Sequence, residues 1–444
     1  MWPNKPLTAD AGDLLTVTSS AVNTVRITPT LMSDGGAKKS PTLAVLRLKT
    51  CAKAGKAVHI DFGFDLTLGI DVQERAGRDS GGKFAWFDYA FPLLAWEYGS
   101  GWMRDPAVNI DGDTAGSEDF ELQKLSVTAP SHDVVTGTGQ VGGTHDGPSG
   151  TTVHEFSASA VRDVAVAVGD FSLLNQQDGD VLVHIATPPS TVVPATTWAA
   201  SVTHSLSALE AMLGPYPYED LWVTVLEPTL GGGFEFPGGT LIADIDPKTD
   251  APDVVSHALA HGYFFGLVGN DQGRDPWLDE AWATWAALVV DGPSDPHSTP
   301  SRAPVAGPAG APMTYWAAQV SAGQTYFDNV DGLGALALDD AYNAVGPAAF
   351  DAAVRSYLTA EAHQIARPED VEQAFAGLPK ADQIMRAAGL FTSVGASASA
   401  TTSPSPTKSS SKSPKASPSK GSPSAPASPV LSSPVLSSPV PASS

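Results

Sequence analysis

The sequence predicts an α+β fold, with a β-rich N-terminal region followed by a mixed region that ends in helices. Short alternating or β-branched runs recur up to about residue 171, separated by Gly, Asp, Pro and Ser breaks. Beyond Asp170, strand-like and helix-like segments alternate, and the later ones are all helical in spacing. The chain divides into residues 1–171, residues 172–390 and a tail, residues 391–444.

In the first part, LLTVTS, TVRITPTL, TLAVLRLKT, AVHIDFGFDLTLGI, FELQKLSVTAP, TVHEFSASAV and VAVAVGDF read as strands. Strands at this spacing suggest a sandwich or a large curved sheet. The aromatic piece FAWFDYAFPLLAWEYGSGWMRDP interrupts them and is expected to fill the core. In the second part, VLVHIAT, LWVTVLEPTL and GTLIADI read as strands, and Pro194–Leu213 as a helix ended by Gly214-Pro215. Helices are expected over Pro252–Val268, Pro276–Val290, Asp331–Ala344 and Pro347–Leu378. From Ala396 the tail holds four Lys, no acid and no aromatic residue, a composition that predicts disorder.

Composition narrows the function. Of 444 residues, 42% are hydrophobic, enough for a sizeable core. Lys and Arg number 25 against 48 Asp and Glu, a net charge of −23. That sign argues against nucleic acid as a partner and against docking on anionic lipid. The single cysteine, Cys51, excludes an internal disulfide and a Cys-built zinc site, and is expected to be a small buried hydrophobe. No run approaches the ~18 apolar residues of a transmembrane segment. The opening residues show no basic-then-apolar signal peptide.

Chemistry concentrates in four features: GGGFEFPGG (231–239), HALAH (257–261), WLDEAWATW (277–285) and YFDNVDGLGALALDDAYNAVG (326–346). His257 and His261 stand at i and i+4, so a helix projects both imidazoles from one face. Eighteen residues then separate His261 from Glu280, room for a turn and a second helix that returns a carboxylate. Two imidazoles and one carboxylate leave the fourth zinc position to water, as in catalytic sites. No pattern that would orient the imidazoles from behind is legible.

In order and spacing, GGFEF, HALAHGYFFGLVGNDQGRDPWLDEAWATW and RDVAVAVGDF resemble the aminopeptidase N family of gluzincin zinc metallopeptidases, particularly its short bacterial members. LLAWEYGSGWMRDP resembles the family's N-terminal domain and GALALDDAYNAVGPAAF the helix after its site. The resemblance implies a β saddle-like domain followed by a thermolysin-like catalytic domain with a helical C-terminal part. It puts His257, His261 and Glu280 on the zinc ligands. Glu235 falls on the glutamate that holds a peptide's free α-amino group, with Gly232 and Gly233 beside the bound peptide. Met1-Trp2-Pro3-Asn4 resembles a segment that lies inside the family's β domain, which implies a domain shortened at its start.

Two departures bear on activity. The family's general base directly follows its first ligand histidine, and here that residue is Ala258. Loss of general acid–base catalysis costs ~10²–10⁴-fold. The family's oxyanion-binding tyrosine stands three residues before the Gly of its Gly-Ala-Leu helix, and here that position is Asp331. Loss of one such donor costs ~10²–10³-fold. On local pattern alone, Asp331 reads as a solvated helix-start residue, while Tyr326, Glu227 and Asp331 are the candidate substitutes for the lost groups. Three readings follow. One is a zinc-holding pseudoenzyme that binds peptide N-termini. The second is an active aminopeptidase with rearranged groups. The third is a cell-envelope binding or structural protein carried on its tail. Resemblance and tail composition together imply an extracellular or cell-envelope location.

Overall fold

The computed structural model describes residues 14–32, 43–70, 75–89, 91–105, 108, 110, 112, 118–226, 233–248, 253–292 and 306–391. Met1-Trp2-Pro3-Asn4, Glu227, Gly232 and nearly all of the Ser/Pro tail therefore lie outside the described residues. Chain contacts group Met1–Ala396 as one unit and Ser397–Ser444 as another.

In the first unit the alternating N-terminal runs pair as antiparallel strands. Leu14–Val22 pairs with Ile60–Thr67, and Thr151–Val161 lies between Phe120–Pro130 and Gln140–Asp146. A further sheet runs Val134–Gly137, Ala165–Gly169, Phe84–Asp88, Ala76–Arg78. Its inner residues Phe84, Trp86, Ala165 and Ala167 share one core with Trp222, Leu226, Phe236 and Leu241. Those four belong to a five-stranded sheet ordered Ser172–Asp178, Val181–Thr187, Asp220–Leu226, Gly239–Ala243, Gly233–Phe236. Helix α1 (Ala195–Leu213) crosses over between the parallel strands Val181–Thr187 and Asp220–Leu226. The GGGFEFPGG motif becomes a hairpin that adds the edge strand, and Glu235 faces Thr240 across it. Gly238 takes φ +79° in its turn, a backbone conformation that favours glycine.

Helices follow in the expected order: α2 (Asp253–Ala260), α3 (Glu280–Asp291), α4 (Met313–Trp316), α5 (Ala322–Phe327), α6 (Gly334–Val345), α7 (Pro347–Glu361), α8 (Pro368–Ala374) and α9 (Pro379–Ala387). Their bounds correct several expectations. α2 ends at Ala260, not Val268. Phe265 takes φ +109°, so the chain leaves the α path there, and Gly262 lets it pass the Tyr216 ring, which a Cβ would meet at 2.7 Å. The segment before α3 is a short 3₁₀ turn, Pro276–Leu278. Asp331 belongs to a π-helical turn, Asp328–Leu333, and α6 starts after it. The helical region expected over Pro347–Leu378 consists of α7 and α8, and RPEDVEQAF starts the second helix with Pro368 at its first position, as its Pro and acids predict.

Two side-chain expectations also change. Cys51 is exposed, since it sits in a polar loop outside any strand. The aromatic segment only partly fills the core: Phe84, Trp86 and Tyr89 are buried, whereas Leu94, Trp96, Tyr98 and Trp102 are exposed around the hairpin of Trp96–Glu97 and Gly101–Trp102.

A charge cluster, its Asp271 and Glu97 carboxylates buried and its cations half-exposed, braces the loop that leads into α3. Arg274 pairs with Asp105 at 2.8 Å and Asp271 at 3.3 Å, and Arg367 pairs with Glu97 at 2.8 Å. Nearby, burial pushes the Asp275 carboxyl from 3.8 up to about 7, and Glu369 adds to the rise. The folded state then binds this proton more tightly than the unfolded chain does. The associated stability is complete below pH 3.8 and is lost as pH rises to about 7. Asp275→Asn stays neutral throughout. Its melting temperature relative to wild type should climb between pH 4 and pH 8 in scanning calorimetry, and a pH-independent offset would refute the assignment.

Candidate metal centre

His257 lies in the last turn of α2. The backbone N–H of His261 donates to the His257 carbonyl at 3.4 Å, which carries the i,i+4 relation one residue past the helix. The two Nε2 atoms face each other at 3.0 Å, with ring centroids 4.7 Å apart. Behind them each Nδ1 has a partner. His261 Nδ1 lies 2.6 Å from Asp279 Oδ1, and His257 Nδ1 lies 3.4 Å from Thr284 Oγ1. An ionised carboxylate only accepts, so the proton is assigned to His261 Nδ1 and the Nε2 lone pair points to the centre.

α3 delivers the acids. Trp282 stacks on Phe264 at 5.4 Å and packs edge-on against Trp285, which fixes the start of the helix against the turns after His261. Glu280, its first residue, places Oε2 3.8 Å from His261 Nε2, while Oε1 accepts from Gln272 Nε2 at 3.3 Å. α2 in turn is tied to α1 by a 2.7 Å bond from Ser256 to Ser205.

Of the sequence-assigned residues, Glu280 approaches His261 but stands outside the group of atoms that come together around both imidazoles, and Gly232 lies outside the described residues. One ligand atom each from Glu235, His257 and His261 lies within 4.8 Å of the others, so Glu235 stands among the metal-capable atoms themselves. Gly233 makes room for it: a Cβ there would come to 3.0 Å from Glu235 Oε1. Ala258 is buried beside His257 and offers only a methyl group. Asp331 is 6% exposed, not solvated, and Oδ2 is buried without a hydrogen-bond partner. Burial pushes its carboxyl from 3.8 up to about 7; its own backbone N–H and His261 oppose the rise, and Asp328 adds to it. Tyr326 is buried in α5, ahead of the π-helical turn.

These groups fit a zinc ion. Zn–N bonds of 2.0–2.1 Å at a tetrahedral angle put two nitrogens about 3.3 Å apart, close to the observed spacing. Mixed imidazole and carboxylate donors suit zinc. Buried acids around two imidazoles, with Asp279 fully buried and Glu235 8% exposed, also call for a cation, since unneutralised buried charge is costly. Sequence reasoning missed Asp279, Thr284 and Gln272. Only Asp279 left a signal, as an acid next to a ligand in WLDE. Removing the carboxylate behind a ligand histidine typically costs 10–100-fold in metal affinity. Asp279→Asn should weaken zinc binding by about that factor in a chelator competition, with Glu280 untouched; unchanged affinity would remove Asp279 from the centre.

No family model matches the chain. Among curated proteins, leucine aminopeptidase 2 of Aspergillus clavatus is 32% identical over 100 residues, covering 22% of this chain and 16% of that protein. Leucine aminopeptidase 2-1 of Meyerozyma guilliermondii is 26% identical over 165 residues, covering 36% and 26%. The matched stretches are thus a small part of these relatives' length. Among solved structures, the M1 zinc metallopeptidase of Deinococcus radiodurans superposes with a TM-score of 0.58 at 19% identity, covering 88% of this chain and 89% of that one. A mutant of that enzyme bound to a Tyr-Ser-Ala substrate gives a TM-score of 0.58 at 20% identity, covering 86% of each chain. The likeness is one of fold: the chain has the α+β fold of these M1 zinc metallopeptidase structures, and its resemblance to the aminopeptidase N family stands.

Proposed function

We propose that this protein is a zinc-holding aminopeptidase homologue that binds the free N-termini of peptides and hydrolyses them poorly. The observation that carries the reading is the pair of Nε2 atoms at 3.0 Å, braced by Asp279 and next to Ala258. His257, His261 and Glu280 would hold the ion. When bound, zinc would supply a Lewis acid able to polarise a peptide carbonyl or activate water.

The chain's own residues decide the rest. A peptide bond breaks only if a base takes the proton of the attacking water and returns it to the leaving amine. The Ala258 methyl has no lone pair for that task. A neutral tyrosine hydroxyl would donate to the developing oxyanion, whereas an ionised Asp331 would repel it. Each deficit alone slows turnover by ~10² or more, and the two bear on different atoms of the same attack, the water proton and the carbonyl oxygen. The anionic cleft that Glu235 helps line suits a protonated α-amine. The curated leucine aminopeptidases and the peptide-bound Deinococcus mutant support this class of partner. A location outside the cytoplasm is part of the same proposal and rests on the Ser/Pro/Lys tail.

Zinc content and turnover decide the matter together. The purified chain should bind close to one zinc and show little release from aminoacyl chromogenic substrates. It should bind a peptide with a free N-terminus and ignore the acetylated form. Ala258→Glu combined with Asp331→Tyr should raise zinc-dependent turnover by at least ~10²-fold. Robust zinc-dependent turnover by the unmodified chain would instead establish an active enzyme with rearranged groups.

A further inference from the structure

Glu235 is held unusually firmly for a group whose only task is to meet an incoming amine. Its strand is fixed in register by the pairs Gly233↔Ile242, Phe234↔Leu241, Glu235↔Thr240 and Phe236↔Gly239. From the N-terminal sheet, Arg75 Nη1 donates to the Glu235 backbone carbonyl at 3.3 Å. That guanidinium is itself clamped by Asp88 at 2.8 Å and lies over the Tyr89 and Phe234 rings at 4.4 and 5.0 Å. The side chain folds back over the bare Cα of Gly233, where any larger residue would displace Oε1. What the strand presents, so fixed, is a carboxylate within 4.8 Å of both ligand-bearing imidazoles.

We propose that Glu235 is itself a ligand of the bound metal, so that His257, His261, Glu280 and Glu235 together close its coordination when no peptide is present. Sites with four protein ligands are the structural kind, while catalytic sites leave one position to water. The proposal deepens the reading above and rests on it. Closure by Glu235 would displace the water that a hydrolase needs, a loss of little consequence in a chain with no carboxylate at position 258. It also changes what a peptide must do. An α-amine reaches Glu235 only by drawing it off the ion, so zinc and peptide bind with mutual antagonism. By linkage each weakens the other by the same factor.

The test uses the full chain with zinc, with cobalt in its place, and with a peptide that has a free N-terminus. Zinc affinity is measured by competition with a chromophoric chelator for wild type, Glu235→Gln and Glu280→Gln, with circular dichroism confirming that each variant is folded. Cobalt-substituted spectra report the coordination number. Glu235→Gln should lose more than about 100-fold in zinc affinity, beyond the range for a residue that only orients a ligand. Its cobalt spectrum should weaken and become sensitive to added azide, as an opened position would. Glu235→Asp, with a shorter reach, should fall between the two. Zinc affinity and cobalt spectrum both unchanged in Glu235→Gln, with peptide binding lost, would overturn this inference while leaving the zinc-binding reading intact. A wild-type chain that takes up no zinc would overturn both.

Discussion

The 2.6 Å contact between His261 Nδ1 and Asp279 Oδ1 fixes which nitrogen of His261 faces its neighbour, and the rest of the centre depends on that choice. With the proton committed to Asp279, Nε2 has only a lone pair to offer. His257 Nε2 meets it at 3.0 Å, a spacing that suits two donors to one cation better than two groups left to themselves. Asp279, Glu235 and Asp331 then add buried acid around the same point. The desolvation cost of such a cluster is large unless positive charge enters it. Core packing is what makes the cluster tolerable. Trp282, Trp285, Phe264 and Phe350 form a packed aromatic block that holds α3 where Glu280 and Asp279 emerge.

Much of this was legible in the sequence because it is local arithmetic. A spacing of four on a helix and a return after eighteen residues are properties of the chain order alone, so His257, His261 and Glu280 could be paired without coordinates. The strand-to-helix progression likewise followed from periodicity, and the five-stranded sheet and its α1 crossover formed where the apolar runs stand. The limits of the sequence reading have equally physical causes. α2 stops early because the backbone turns out of the helical region, with Phe265 at φ +109°, and the glycine at 262 fits under the ring of Tyr216, over forty residues away. Asp331 looked like a surface residue because its burial comes from packing between elements that no local window contains. The nearness of Glu235 to both imidazoles was not legible, since nothing in GGFEF reveals how closely a hairpin edge approaches a distant helix.

The N-terminal region enters this picture as more than a neighbour. Its core is continuous with that of the five-stranded sheet through Phe84, Trp86, Trp222 and Phe236. Arg75 reaches from it to the backbone of Glu235, and Glu97 and Asp105 reach the Arg274 and Arg367 side chains that flank the approach to α3. The metal-capable groups are therefore held from two sides by a single packed unit.

The π-helical turn at Asp328–Leu333 sets the direction in which its side chains leave the backbone. A wide turn absorbs about one extra residue, and one residue on a regular helix is a rotation of about 100°. Counting back from Gly334 along the letters therefore does not count back along the helix surface. The wide turn thus sets the bearing of position 331, where the carboxylate lies buried and within electrostatic reach of His261, and any side chain placed there inherits that bearing.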